Sequence, residues 1–243
     1  MFMPGSSQRA RDASEFDTYA ANYDAALGRG IAVSGENRVY FAHGRVSWTR
    51  SVLSALGVTP RRILDYGCGV GSTAAVFRQT WDVESLVGVD TSSECIRLAG
   101  TTDGSPTTRF DVITGYEPSG DRDLVYCNGV FHHIPFDERA AALAYIWACL
   151  EPGGFLAFYE NNPWNPGTRY VMSRIPFDRE AKTLSALEAK RLIRASGFEV
   201  VRTDFLFVFP RRLSWLRPLE RTLSSLPIGA QYLVLGRKLA VYK

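Results

Sequence analysis

The sequence predicts an α/β protein: a doubly wound, mostly parallel seven-stranded sheet with an N-terminal helical cap and an antiparallel C-terminal edge pair. Three observations predict it. Short apolar runs alternate with helical periodicity from Arg61 to Glu160, and such alternation builds a parallel sheet covered on both faces. The run ending at Tyr66 passes straight into Gly67, Gly69 and Gly71, the strand–turn–helix junction at which α/β sheets bind ligands. No helix of the earlier length separates the last two strands, which sets them antiparallel. At 243 residues and about 150 per domain, one large domain with an appendage is expected. We divide the chain into a cap, 1–57, and a sheet domain, 58–243, with insertions at 161–180 and 211–227.

Each element has its own signal. Phe16, Tyr19, Ala20 and Tyr23 recur at i, i+3, i+4 and i+7 and form one face of a helix from Ser14. Glycines at 28 and 30 break it, and a second helix runs from Asn37 to Leu56, closed by Gly57. Strands follow at 61–66, 85–90, 107–113 and 123–128. Helices fill the intervals from the glycine turn to Gln79, over 92–99, and over the alanine-rich 137–150. The turn Glu151-Pro152-Gly153-Gly154 launches a strand over 155–160. A helix over 185–195 stops at Gly197, a long strand spans 198–209, and a last one spans 231–242. Between these two lies a leucine stripe, Leu213, Leu216, Leu219 and Leu223, interrupted by Pro218. Core packing is its default reading, with a membrane surface or a second subunit of a homodimer as alternatives.

Composition narrows the classes. A hydrophobic content of 46% with 22% charged residues excludes wholesale disorder. No run approaches the 18 apolar residues of a membrane span, and the first ten residues lack a signal core, so a cytoplasmic protein is expected. Cys68, Cys95, Cys127 and Cys149 form no CxxC pair; reduced core thiols are expected, and no metal site. The net charge of +3 hides an asymmetry: residues 161–243 carry 15 basic and 6 acidic side chains. That suits an acidic substrate, a lipid headgroup or nucleic acid, or a solvated face.

The strongest motif is Ile63-Leu64-Asp65-Tyr66-Gly67-Cys68-Gly69-Val70-Gly71, followed nineteen residues later by Asp90 at the end of the second strand. Glycines permit a tight turn and close approach of a ligand, and an acid at Asp90 can accept the hydroxyl protons of a ribose. The spacing G-x-G-x-G differs from the dinucleotide G-x-G-x-x-G. Asp65 beside it repels phosphate and suits an ammonium group. The pair points to S-adenosylmethionine rather than to NAD.

These residues resemble a class I S-adenosylmethionine-dependent methyltransferase of the small-molecule type, with its Rossmann-like fold. The blocks run in family order: Leu64–Gly71, Gly88-Val89-Asp90, Phe110-Asp111-Val112, Asp123–Asn128 and Leu150-Glu151-Pro152-Gly153-Gly154. The resemblance implies that Asp65 with Gly67, Cys68, Gly69 and Gly71 faces the methionine part of the cofactor. It implies Asp90 with Thr91 at the ribose, Asp111 and Val112 beside the adenine, and Asn128 with Gly129 near the sulfonium. It also makes the Phe16/Tyr19/Tyr23 face a lid over the cofactor; the alternative is a packing stripe. For Asp111 the alternative is a solvated loop acid.

Phe131-His132-His133-Ile134-Pro135 follows the fourth strand at the ligand-binding edge. Imidazole titrates near neutrality and can take a proton from a hydroxyl or amine. In natural-product methyltransferases similar to this chain a basic histidine stands at the position of His133; His132 either shares that role or points into the fold. Glu160, ending the fifth strand, is expected to orient His133, or else to pair with Arg169 or Arg174. His43 is isolated and structural. Asn161-Asn162-Pro163-Trp164 resembles the tetrad of nucleic-acid amine methylases but follows the wrong strand, which disfavours a nucleobase. The expected activity is methyl transfer from S-adenosylmethionine, with S-adenosylhomocysteine as product, to a hydroxyl or amine of a small biosynthetic molecule. The alternatives are an RNA or tRNA methyltransferase and a non-catalytic cofactor-binding partner protein.

Overall fold

The computed structural model describes residues 28–175, 178 and 181–239; the Phe16/Tyr19/Tyr23 face lies outside them. Seven strands form one sheet in the order β3-β2-β1-β4-β5-β7-β6. They are β1 (Arg62–Tyr66), β2 (Ser85–Asp90), β3 (Thr108–Val112), β4 (Arg122–Asn128), β5 (Leu150–Asn161), β6 (Glu199–Leu206) and β7 (Gln231–Arg237). β7 runs antiparallel to both β5 and β6, and the other pairings are parallel. The helices are α1 (Arg38–Ala55), α2 (Ala74–Thr80), α3 (Ser93–Thr102), α4 (Arg139–Cys149), α5 (Pro166–Arg174), α6 (Ala186–Ala195) and the single turn α7 (Glu220–Leu223). Strand order reverses between β1 and β4, the switch point where such sheets open a crevice at their carboxyl edge.

Period-two alternation assigns each strand residue to one of two cores. Leu64, Val125, Cys127, Leu156 and Phe158 pack with Leu143 and Ile146 of α4 and with Ile193 of α6. Ile63, Leu124, Tyr126, Ala157 and Tyr159 pack with Val46 and Leu53 of α1 and with Phe77 of α2. Both faces are therefore apolar, and each fully buried Leu, Ile or Phe contributes about 1.5–3 kcal/mol. α1 shares this second core, so it is built into the sheet domain as firmly as α2. Local signals set the helix starts: Asn37 accepts from Tyr40 N–H, Ser92 from Cys95 N–H, and Ser185 with Glu188 forms a capping box. All four cysteines are buried and free.

Five elements differ from the sequence reading, the first being β7, which was expected to reach 242 and ends at Arg237. β5 begins at Leu150, because Leu150 pairs with Arg122 and the Gly153 turn, at φ 91°, becomes an irregularity inside the strand. β6 stops at Leu206, because Phe207 takes φ 63° and turns the chain away. The leucine stripe forms no regular helix: a 3-10 segment, Arg211–Leu219, is broken at Leu213 and contains Pro218. α5, unforeseen, starts where Asn165 accepts from Thr168 N–H and Pro166 opens the first turn. Among the described residues no helix is long and apolar enough to cross a membrane.

Candidate active site

The glycine turn leaves β1 at the switch point. Gly67 holds φ 74° and lies so close to β4's following loop that a Cβ would stand 2.3 Å from Val130 Cγ2. Its N–H and that of Cys68 donate to Val89 O of β2. Asp90 closes the bracket, accepting from Gly69 N–H at 2.8 Å and from Ser92 N–H at 2.9 Å. A cavity of about 220 Å³ opens above. Of the residues expected to hold a cofactor, Gly67, Gly69, Asp90, Thr91, Asn128 and Gly129 line it.

Of the others, Tyr19 and Tyr23 lie outside the described residues, and Asp65, Cys68, Gly71, Asp111 and Val112 do not line it. Gly71 is a packing glycine, since a Cβ there would meet Phe110 Cζ at 2.8 Å. Cys68 is buried, and burial pushes its thiol up. Asp111 pairs with Arg109 at 2.6 Å, while Ile113 and Thr114 supply the adjoining stretch of cavity wall. Asp65 is buried on the α1 side of the sheet, and burial first, then the Asp90 charge, pushes its carboxyl up to about 7. Arg45 opposes that shift through its charge alone. A buried carboxylate in this state is poorly compensated and receptive to a ligand cation.

A second cavity, about 390 Å³, adjoins the first and shares Asn128, Gly129 and His133 with it. α1 contributes Tyr40, Phe41 and Arg45, and the bend after β6 contributes Phe207. Phe207 stacks edge-on to Phe41 with ring centroids 4.9 Å apart, so its left-handed backbone aims an aromatic ring into the cavity. Arg45 is buried, yet its hydrogen-bond partners are neutral: Nε donates to Tyr126 Oη and Nη1 to Gln231 Oε1, both at 2.9 Å.

The two histidines occupy different electrostatic environments. His132 is buried, with Nδ1 2.6 Å from Glu160 Oε2 and Nε2 3.4 Å from Asp178 Oδ1. Burial works against its cation, but the Glu160 charge and the contacts to both carboxylates win and push it up to about 10. Asp178, against the cost of burial, is held down at about 2 by the same histidines. His133 lies 3.4 Å from that Asp178 oxygen; burial and the neighbouring His132 charge lower its pKa. His132 is thus an imidazolium at neutral pH and His133 a neutral imidazole, a split of the kind that assigns acid and base roles. The ligand atoms of His132, His133 and Asp178 lie within 4.8 Å of one another, a cluster that the sequence reading, which expected no metal site, did not foresee.

Glu160 therefore orients His132, not His133 as the sequence suggested, and pairs with neither Arg169 nor Arg174. Its other oxygen accepts from Phe131 N–H at 2.7 Å, which fixes the loop carrying both rings. Two site residues escaped the sequence reading. Asp178 lies in the poorly patterned stretch after α5, and only the fold brings it to the histidines; Lys182 N–H donating to His132 O pins the following chain there. Arg45 had a signal: it falls on the buried stripe of α1, between Ala42 and Val46, where an arginine is out of place.

The donor set fits an S-adenosyl cofactor: a carboxylate at the end of β2, close-approach glycines, a buried Asp65 whose carboxyl is pushed up by burial, and a buried arginine. Fold and site define a class I S-adenosylmethionine-dependent methyltransferase with a Rossmann-like sheet. The chain belongs to the methyltransferase domain family, which it matches over residues 40–203. It is 27% identical over 148 residues to a trans-aconitate 2-methyltransferase of Rhodopseudomonas palustris, covering 60% of this chain and 56% of that one. A protein of the same name from Escherichia coli O157:H7 is 24% identical, covering 69% and 70%. The chain spans little more than half the length of the first of these. Among solved structures, a possible histamine N-methyltransferase of Thermotoga maritima superposes with a TM-score of 0.66 at 18% identity, covering 92% and 98%; at that identity it shares the fold.

Proposed function

We propose that this enzyme methylates an oxygen or nitrogen of a small, largely apolar acceptor. The observation that carries the reading is the junction of the two cavities at Asn128, Gly129 and His133. S-adenosylmethionine, bound above the glycine turn, supplies a methyl group already activated on sulfonium. Asp90 takes the ribose hydroxyls, Asp65 compensates the ammonium group, and Arg45 answers the carboxylate at the same end. Asn128 and Gly129 form the wall past which acceptor and methyl group meet. Alignment and exclusion of water supply most of the acceleration, on the order of 7–11 kcal/mol in favourable intramolecular reactions.

His133 takes the acceptor's proton as the new bond to methyl forms. Asp178 beside Nε2 favours the tautomer protonated there, whose basic atom is Nδ1. Burial and the His132 cation, held between Glu160 and Asp178, keep His133 neutral and ready to accept. Of the described part of the cap, Ile31, Val33, Tyr40 and Phe41 wall the acceptor cavity together with Met172 and with Phe207, which packs on Phe41. The relatives named for trans-aconitate make a carboxylate oxygen one acceptor to include, and Arg38, Arg45 and Arg217 line the same cavity beside its apolar walls. Incubation with methyl-labelled S-adenosylmethionine and a panel of phenols, amines and apolar carboxylic acids tests this. Acceptor-dependent release of S-adenosylhomocysteine is expected; turnover with RNA alone would overturn it.

A further inference from the structure

We propose that the rim of the acceptor cavity, formed by α5 and the chain from Phe207 to Ala230, docks on an anionic lipid bilayer. The inference does not depend on which molecule is methylated. β5 and β6 both end, and β7 begins, at the carboxyl edge of the sheet, so the two segments emerge side by side. Asn165 Nδ2 donates to Ile228 O, and Thr168 Oγ1 to Ala230 O, which ties them together. Gly167, Val171 and Met172 on one side and Phe209, Pro210 and Arg217 on the other line the cavity, so the rim surrounds its mouth.

This rim is aromatic, apolar and positively charged at once. Trp215 is 74% exposed, Trp164 59%, Leu219 51% and Tyr170 47%. Arg169, Arg174, Arg211, Arg212 and Arg221 are exposed among them. Residues 207–230 contain one carboxylate, Glu220, and it turns back to accept from Phe209 N–H. Tryptophan and tyrosine settle at the boundary between headgroups and acyl chains, and arginines there meet lipid phosphates. The break at Leu213 and Pro218 prevents a regular amphipathic helix, so the contact is made by side-chain tips and stays shallow. Nucleic acid would use the arginines but leave Trp215, Leu219 and Ile228 in water. A second copy docked by the same patch would set like charges against each other.

The test is co-sedimentation of the full chain with vesicles of phosphatidylcholine alone or mixed with phosphatidylglycerol. Binding to the mixed vesicles only, weakened by salt, is expected. Arg212→Glu with Arg221→Glu should reduce it about tenfold or more, and Trp215→Ala several-fold, with Trp215→Phe retaining most of it. These residues lie outside the site, so S-adenosylhomocysteine binding should be unchanged in every variant, which verifies that each is folded. Failure to bind the mixed vesicles, equal binding by the charge-reversed variant, or displacement by RNA with higher affinity for RNA would each overturn the proposal.

Discussion

Glu160 Oε2 lies 2.6 Å from Nδ1 of His132, and the charge this pair holds on His132 adds to burial in lowering the pKa of the neighbouring His133. Glu160→Gln removes the principal counter-charge of His132, so that ring loses its proton nearer neutrality. Stability should fall on the order of 3 kcal/mol by chemical denaturation, as when one partner of a buried pair is removed. Where His132 is then neutral, His133 is relieved of the adjacent cation, which outweighs loss of the smaller upward pull of the Glu160 charge, and the acid limb of the rate profile should move up in pH. A stability loss with an unmoved limb would make Glu160 purely structural.

His133→Ala should lower kcat by roughly 10²-fold or more while leaving S-adenosylhomocysteine affinity nearly unchanged. His133→Asn should not restore the rate, because an amide accepts no proton. In the wild type the rate should fall on acidification only below the ordinary histidine value, since burial and His132 lower the His133 pKa. The alanine variant should lack that limb. Wild-type kcat in His133→Ala would show that the acceptor arrives already nucleophilic.

Asp65 ionises at the expense of the fold. Its carboxyl is raised from 3.8 to about 7 by burial, so its ionisation opposes folding. The penalty is absent below pH 3.8, grows as pH rises, and is complete above about 7. Asp65→Asn should therefore stabilise the free protein at pH 8 by on the order of 1–3 kcal/mol and change little at pH 4. The same variant should lose most of the thermal shift that S-adenosylhomocysteine gives the wild type. Equal shifts in both would remove Asp65 from the ligand site.

Arg45→Gln should weaken S-adenosylmethionine and S-adenosylhomocysteine by about 1.5–3 kcal/mol, the range of a hydrogen bond to a charged group. Binding of adenosine, which has no carboxylate, should be unaffected. Calorimetry with the three ligands distinguishes this from general damage, which would weaken all of them alike.

What the sequence made legible follows from how local each signal is. The turn from Tyr66 to Gly71 and the acid at Asp90 are set by neighbours in the chain, and the structure brings Gly67, Gly69 and Asp90 to one cavity. A mostly parallel sheet was legible through alternation of strands and helices, and so was the antiparallel pairing of the last two strands; the strand order, with β7 between β5 and β6, was not. Pairings across long separations were not. Glu160 reaches His132 rather than His133 because the Phe131 N–H contact fixes the loop, a detail no spacing encodes. Arg45 and Asp178 come from segments without a motif and meet the site only in three dimensions. The leucine spacing over 213–223 gave a helical period that Pro218 prevents from forming.

The account rests on a donor held between the glycine turn and Asp90, and calorimetric titration of S-adenosylhomocysteine into wild type and Asp90→Ala tests it most directly. Asp90 supplies the carboxylate at the end of β2, so its loss should weaken binding by about 1.5–3 kcal/mol, roughly ten- to a hundred-fold in Kd. The protein should remain folded, with NAD binding weaker than S-adenosylhomocysteine in both proteins. Unchanged affinity in Asp90→Ala, or preferential binding of NAD by the wild type, would contradict the account.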